Sequence, residues 1–328
     1  MHVDFSQTAI AKFKVLSNAI AHAIQQGEFG MGEPLPSINV LSAEYSISRE
    51  TVFKAFNDLK KRGLVDSAPT KGYFVAGEVN TVLLLLDAYS LFKELLYTNF
   101  VETLGKDYKV ELIFHHYNQS LFDTILQDAR GRYSYYIIMN VNDEKMAASI
   151  ETLDPNKVLL LDMGDYDKKN LSYICQDFGQ SFRDSLEEGV ELFAKYKKLV
   201  LCLRNDSPHP RVCVPFFKRF CRDHHIACQV RTQVMRLNDV EENVAYLSPV
   251  TSEVVELIKF CRKRKLVVGK DVGVVAYNDM PLYEVIDKGI TSISVDFALM
   301  GERAARHILD KKKSFEILPA RLIRRESL

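Results

Sequence analysis

The sequence predicts an α/β fold preceded by a small helical domain, and three observations support this prediction. Residues 35–75 contain two short amphipathic helical patterns, each opened by a serine, and then two short β patterns. Beyond residue 80, apolar runs rich in Val, Leu and Ile alternate with amphipathic segments, which is typical of parallel sheets covered by helices on both faces. After a first module of 76 residues, about 250 residues remain, enough for one large α/β domain or two lobes.

The segment from Leu35 to Val75 predicts a helix, a tight turn, a second helix and a β-hairpin. Ser37 is an N-cap signal for the first helix, and Ser48 is one for the second. Gly63 stops the second helix, and residues 64–65 and 72–75 read as two short strands joined by a polar turn. This order indicates a winged helix-turn-helix, whose second helix has the size to lie in a DNA major groove.

The outward side chains of this module are candidates for DNA contact, because recognition helices meet base edges and phosphates near their N-terminal ends. Between Ser46 and Gly72 there are six Lys or Arg residues against three Asp or Glu residues. The alternative is a small helical domain with a charged, solvated face, which the turn spacing and the wing disfavour. The candidate DNA-binding residues are Ser37, Ser48, Arg49, Thr51, Lys54, Lys71 and Gly72.

These residues resemble the GntR-type winged-helix repressors through the ordered string LPS…SRxTVxxAxxxLxxxGLV…GxFV, over about the first 76 residues. The resemblance implies a dimeric DNA-binding module, with contacts from Ser48, Arg49 and Thr51 in the recognition helix and from Lys71-Gly72 in the wing. The chain departs from the family at two places. Asn39 and Phe53 stand where arginines are common, so the family's operator sequence cannot be assumed.

Composition restricts the class of protein further. The formal net charge is zero, so DNA affinity must come from a local basic patch. No apolar run reaches transmembrane length, and the N-terminus lacks a signal-peptide hydrophobic region. The six cysteines follow no disulfide-framework spacing. We therefore expect a soluble cytoplasmic protein without membrane partners.

Residues 77–328 are predicted to form a second, ligand-sensing domain. Its helices are expected near 92–104, 121–130, 181–196, 214–224, 252–264 and 300–309. Its strands are expected at 81–86, 109–115, 135–140, 157–162, 172–176, 198–203, 227–231, 245–248, 272–277 and 292–295.

Polar residues recur where these strands end, and ligands of parallel α/β folds bind at the carboxyl ends of strands. A sugar needs acceptors, donors and a flat apolar face. Such groups are equally able to cap the following helices and close turns. The candidate ligand-binding residues at these strand ends are Tyr89, Asp162, Asp177 and Asn278.

This region resembles the sensor domain of the lactose-repressor family, which is built like periplasmic sugar-binding proteins. The strongest match is KLVVGKDVGVVAYNDMPL (Lys265 to Leu282), followed by ITSISVDFALMGERAARHIL and LPARLIRRES. The resemblance implies two lobes that close around a small molecule, usually a sugar. Asn278 replaces the family's Asp, and the family's ligand-site arginine is matched only by Arg211, displaced by two residues, so the ligand chemistry or the register differs. Because one winged helix makes too few contacts for an operator-grade affinity, we expect a homodimer formed mostly by the sensor domain.

Other kinds of site lack a sequence signal. Cys221, His224, His225 and Cys228 have no second ligand pair at finger spacing, and no phosphate-binding or nucleophile motif occurs. We expect no metal, no cofactor and no catalytic residue. The sequence thus predicts a transcriptional regulator, expected to be a repressor, of a carbohydrate operon. Its partners would be duplex operator DNA and a monosaccharide, with L-fucose or arabinose as the guess from family habit. The alternative is a sugar-active enzyme carrying a DNA-binding head.

Overall fold

The computed structural model describes residues 3, 5, 11–69, 72–76, 81–139, 148–162, 168 and 170–328. They form two compact units. The first contains Met1–Ala88, Gly105–Leu159 and Lys168–Ser172, and the second contains Tyr89–Leu104, Leu160–Asp167 and Tyr173–Leu328. The division into domains 1–76 and 77–328 is a functional one and stays a prediction.

The N-terminal part of the first unit is a helix-turn-helix with a β-hairpin. Its helices are α1 (Lys12–Gln25), α2 (Ile38–Glu44) and α3 (Arg49–Lys61), and its strands are β1 (Val65–Ala68) and β2 (Gly72–Val75). The strands pair antiparallel, with Val65 opposite Val75. Leu16, Leu41, Val52, Phe56 and Leu59 are buried together in its core, so the helical spacing read from the sequence does place one apolar face inward.

The remaining elements alternate as predicted. The helices are α4 (Leu91–Leu104), α5 (Gln119–Ala129), α6 (Gln180–Glu187), α7 (Val190–Phe193), α8 (Cys213–Asp223), α9 (Thr251–Lys263) and α10 (Phe297–Leu309). The strands are β3 (Thr81–Leu86), β4 (Lys109–Phe114), β5 (Tyr135–Met139), β6 (Val158–Asp162), β7 (Ser172–Gln176), β8 (Lys198–Cys202), β9 (Ala227–Arg231), β10 (Val244–Ser248), β11 (Val272–Tyr277), β12 (Thr291–Ser294), β13 (Phe315–Leu318) and β14 (Arg321–Ile323).

The strands form sheets of order β13-β7-β6-β5-β3-β4 and β14-β12-β11-β10-β8-β9. Neighbouring strands whose register is established pair parallel, except β12 with β14 and the hairpin β1–β2, among the residues the structure describes. The central strands β8, β10 and β11 are buried almost along their whole length. Their carboxyl ends therefore meet at one edge of a covered sheet.

Two features of the fold differ from the sequence prediction. The helix expected over 181–196 is divided into α6 and α7 at Gly189. A Cβ there would lie 2.4 Å from Leu322 Cδ2, so any larger residue would require this side chain of β14 to shift. Strands β13 and β14 were not predicted, because they are short and β13 alternates with exposed Phe315 and Ile317. Within the described residues, no helix is long and apolar enough to cross a membrane.

Candidate DNA interface and ligand site

Two serines fix the starts of the helices of the helix-turn-helix. The backbone N–H of Val40 donates to Ser37 Oγ at 3.3 Å, and that of Thr51 donates to Ser48 Oγ at 3.1 Å. The hydroxyls of Ser48 and Thr51 also lie 2.8 Å apart. Both N-caps predicted from the sequence are thus present, and they leave the start of α3 with ordered, exposed N–H and hydroxyl groups.

An open concave surface of about 650 Å³ lies between α2, the start of α3 and the wing. The concave surface brings together three of the predicted DNA-binding residues, Ser37, Arg49 and Gly72. Asn39 and Phe53 also line it. Lys54 lies next to it on α3 and forms an exposed ion pair with Glu50 at 2.8 Å, an interaction weak enough to yield to a phosphate. Lys71, predicted for the wing tip, lies outside the described residues.

The wing is held against the recognition helix by aromatic stacking. The rings of Phe56 and Tyr73 lie parallel, with centroids 4.1 Å apart, and Phe56 is fully buried. Leu35 N–H donates to Tyr73 O at 2.9 Å. The concave surface is therefore built on a rigid core, with its polar groups already outside.

Arg62, the residue that follows α3, joins several parts of the first unit. Its Nη1 donates to Asn18 Oδ1 of α1 at 3.1 Å and to Asp58 Oδ2 at 3.0 Å, and its Nη2 donates to the carbonyl of Arg130. Arg130 follows α5, in the loop that leads to β5. The next residue, Gly131, has φ +68°, and a Cβ on it would lie 2.9 Å from Ala21 Cβ. The helix-turn-helix is thus packed tightly against the loop after α5.

The strand-end candidates Asp162 and Asn278 both have left-handed backbone, with φ 63° and 64°. Such conformations are costly for residues other than glycine, although Asp and Asn tolerate them best, and they concentrate at functional sites. Asp162 is buried and accepts a hydrogen bond from Gln176 Nε2. The Tyr277 hydroxyl donates to Gln176 Oε1 at 3.4 Å, so a polar chain runs from Asp162 through Gln176 to Tyr277.

Asn278 offers an unused acceptor. Its side-chain oxygen is buried and has no hydrogen-bond partner among the described residues. Its own N–H is used in the sheet, donating to Ile293 O at 2.8 Å. A buried carbonyl without a donor is costly and rare, and a ligand hydroxyl or amine would satisfy it.

An aromatic cluster of Phe178, Phe182, His209 and Tyr277 fills the space beside these polar groups. The Tyr277 ring centroid lies 4.5 Å from that of His209 and 6.0 Å from that of Phe178. Burial lowers the pKa of His209 to about 3. Burial, with the charges of Asp162 and Asp177 adding to it, raises the pKa of Tyr277 well above its usual value. Both rings are therefore neutral near pH 7.

The cavity enclosed by Phe182, His209, Ser248 and Tyr277 with their neighbours is only about 10 Å³. Such a space holds one water molecule at most. A sugar cannot enter it unless the aromatic rings move apart.

The other three predicted ligand residues have structural partners. Asp177 caps α6 by accepting from the N–H groups of Gly179 and Ser181 at 2.8 and 2.7 Å, as the helix-cap alternative expected. Arg211 Nη2 donates to Arg204 O at 2.9 Å. The Tyr89 side chain is 63% exposed, and its hydroxyl donates to Glu94. Their role in ligand binding stays a prediction.

Gln176, His209 and Tyr277 were missed by the sequence prediction. Gln176 and Tyr277 are the last residues of β7 and β11, so a search of strand-end positions for polar residues would have found them. His209 lies in the segment between β8 and α8, and no sequence pattern marks it.

Two separate parts of the chain match two different families of known proteins. Residues 14–75 match the gntR family of bacterial regulatory proteins, and residues 193–328 match the periplasmic binding protein-like domain. The chain joins a GntR-type helix-turn-helix to a periplasmic-binding-protein-like domain.

Curated relatives cover only parts of this arrangement. The HTH-type transcriptional regulator TreR of Bacillus subtilis is 32% identical over 134 residues, which are 38% of this chain and 54% of that protein. An uncharacterized HTH-type transcriptional regulator of the same organism, YcxD, is 39% identical over 64 residues, 20% of this chain and 14% of that protein. The chain thus spans from about a seventh to about half of the length of these relatives.

Solved structures share the fold over about three quarters of the chain. The trehalose repressor from Escherichia coli has a TM-score of 0.62 at 13% identity, over 75% of this chain and 100% of that one. A LacI family transcriptional regulator from Lactobacillus casei with bound glucose has a TM-score of 0.63 at 16% identity, over 76% and 99%. The predicted two-lobed, mainly parallel architecture is thereby confirmed.

Proposed function

We propose that this chain is a cytoplasmic transcriptional regulator. It binds duplex operator DNA through α3 and the wing, as a homodimer. The observation that supports this most directly is the concave surface, where Ser37, Arg49 and Gly72 lie together beside a capped recognition helix. The similarity of residues 14–75 to the gntR regulators supports the same role.

DNA binding is tested by selecting sequences from a random duplex pool with the full-length protein. We expect enrichment of a sequence with two related half-sites, since the operators of dimeric repressors mirror their two-fold symmetry. Sedimentation of the protein with the selected duplex should give two chains per duplex. Recovery of no enriched sequence would contradict the proposal.

We further propose that the second half binds a carbohydrate effector through Asp162, Gln176, Tyr277 and Asn278. A charged acceptor, an amide, a free carbonyl and aromatic rings suit a molecule with several hydroxyls and an apolar face. The group contains one strand-end carboxylate, Asp162, beside amides. This suits recognition better than the paired acid and base of a glycosidase.

The kind of sugar is open to a direct test. Structures with this fold hold glucose or sucrose, and other relatives bear the names trehalose repressor and TreR. Glucose and its disaccharides are therefore the first candidates, before the L-fucose and arabinose expected from the sequence. A thermal-shift panel of these sugars should show one that raises the melting temperature of the wild type. The shift should vanish in Asn278→Ala.

A further inference from the structure

Phe53 is an apolar side chain on the outer face of the recognition helix. Its neighbours Val52, Ala55 and Phe56 are buried, whereas Phe53 is 47% exposed. Exposed single apolar residues are common on proteins and need no function by themselves. Whether Phe53 has a function therefore depends on where its side chain lies.

Phe53 lies on the concave surface together with Asn39 and Arg49. Docking of DNA there would remove its ring from water together with the groups that meet the bases. A buried aromatic ring needs an apolar partner, because a base-edge donor or acceptor facing it would be left unsatisfied.

The major groove offers one such partner, the C5-methyl group of thymine. We propose that Phe53 is a specificity-determining residue that contacts a thymine methyl in each half-site of the operator. The proposal rests on the DNA-binding function above and assigns part of its sequence preference.

The geometry also gives the position of this thymine. Phe53 follows Arg49 by four residues, which along a helix is roughly 6 Å. Base pairs are about 3.4 Å apart. The thymine is therefore expected within about two base pairs of the base or phosphate that Arg49 contacts.

The test uses the full-length protein and the duplex obtained by selection. Each thymine of one half-site is replaced in turn by deoxyuridine, which keeps base pairing but lacks the methyl group. Wild-type protein should lose affinity by about fourfold at one position, the value of one apolar carbon moved out of contact. Phe53→Ala should bind the thymine and deoxyuridine duplexes equally.

Val40→Ala is the matched control, since Val40 is an exposed apolar residue of the adjacent helix, 52% exposed, that does not line the concave surface. This variant should discriminate thymine from deoxyuridine like the wild type. Both Phe53 and Val40 are outside the core, so neither variant should unfold.

The outcomes separate the inference from the function on which it rests. If selection enriches no sequence, both are overturned. If a sequence is enriched but no thymine methyl affects wild-type binding, or if Phe53→Ala keeps the difference, the regulator stands and the role of Phe53 is wrong.

Discussion

The concave surface of the helix-turn-helix and the polar cluster around Asp162 are built in opposite ways. The first is open, at about 650 Å³, and its polar groups are exposed over a rigid aromatic core. The second adjoins the packed rings of His209 and Tyr277, which line a cavity of only about 10 Å³. It contains left-handed backbone at Asp162 and Asn278, and the buried side-chain oxygen of Asn278 has no hydrogen-bond partner among the described residues.

The difference indicates which site has to change when it is used. DNA can meet a preformed surface, so its binding carries little cost of rearrangement. The rings of Phe178, His209 and Tyr277 are instead packed together beside the proposed sugar site. If a sugar binds there as we propose, these rings would have to separate, and a ligand that favours the separated state would shift the protein between two conformations.

The largest predicted effect tests the rigid core beneath the concave surface. Phe56→Ala should lower the free energy of unfolding by about 3–5 kcal/mol, because it empties a fully buried site that also stacks on Tyr73. Phe53→Ala, on the exposed side of the same helix, should change it by less than about 0.5 kcal/mol. Urea denaturation measures both; equal losses would mean that the two faces of α3 are wrongly assigned.

The second prediction concerns the joint at Arg62. Arg62→Ala should destabilise the protein by about 1.5–3 kcal/mol, since a largely buried guanidinium and its bonds to Asn18, Asp58 and Arg130 are lost. Lys61→Ala, next to it but exposed, is the control. Thermal unfolding of the two variants should differ clearly; a stable Arg62→Ala would show that the loop after α5 does not hold the helix-turn-helix.

The third prediction concerns the preformed surface itself. Arg49→Ala should weaken operator binding by about 1–3 kcal/mol if the guanidinium is bidentate to guanine, and by less if it meets a phosphate. Arg49→Lys keeps the charge without the fork, so it separates these two contacts. Fluorescence anisotropy gives the affinities, and wild-type binding by both variants would refute the recognition-helix assignment.

The smallest predicted effect is a pH dependence of the filled cluster. The pKa of His209 is about 3 in the folded state against 6.5 for the free side chain. Between these values the unfolded chain binds a proton that the folded chain does not, so His209 makes stability fall as pH drops below 6.5. One proton is worth at most about 1.4 kcal/mol per pH unit, so we expect less than about 2 kcal/mol between pH 6.5 and 5.

Replacement of the imidazole isolates this contribution from other groups. The pKa of His307 is also lowered by burial, and it would add to the same slope in both proteins. His209→Gln should therefore show a flatter dependence of stability on pH than the wild type. Identical slopes in urea titrations at pH 5 and 6.5 would mean that His209 protonates freely in the folded state.

The two sites also differ in how far sequence could predict them. The helix starts at Ser37 and Ser48 depend on hydrogen bonds between residues three apart, so a local pattern was sufficient. The alternation that predicted parallel sheets is likewise a local signal. The positions of Asp162 and Asn278 at strand ends were predicted because strand ends are local features of the sequence, and their role in ligand binding stays a prediction.

The rest of the cluster depends on contacts that local patterns do not contain. The chain Asp162–Gln176–Tyr277 joins residues 14 and 101 positions apart. His209 meets Phe178 and Tyr277 through the packing of separate elements. Asp177, a strand-end acid predicted to bind the ligand, accepts hydrogen bonds at the start of the next helix, and its role in ligand binding stays a prediction. The break of the helix at Gly189 was also missed by the sequence prediction.

The central claim is that a sugar bound at the Asp162 cluster changes the affinity of the helix-turn-helix for DNA. The most direct measurement is operator anisotropy with wild-type protein and Asp162→Asn, each titrated with the sugar found by thermal shift. Asn has the size of Asp and tolerates the left-handed backbone at this position. We predict that the sugar changes wild-type affinity at least about fivefold. Without sugar, Asp162→Asn should bind the operator with the wild-type affinity. The sugar concentration that gives half of the response should be at least about tenfold higher for this variant than for the wild type. An unchanged wild-type affinity, or an equal response from both proteins, would contradict the claim.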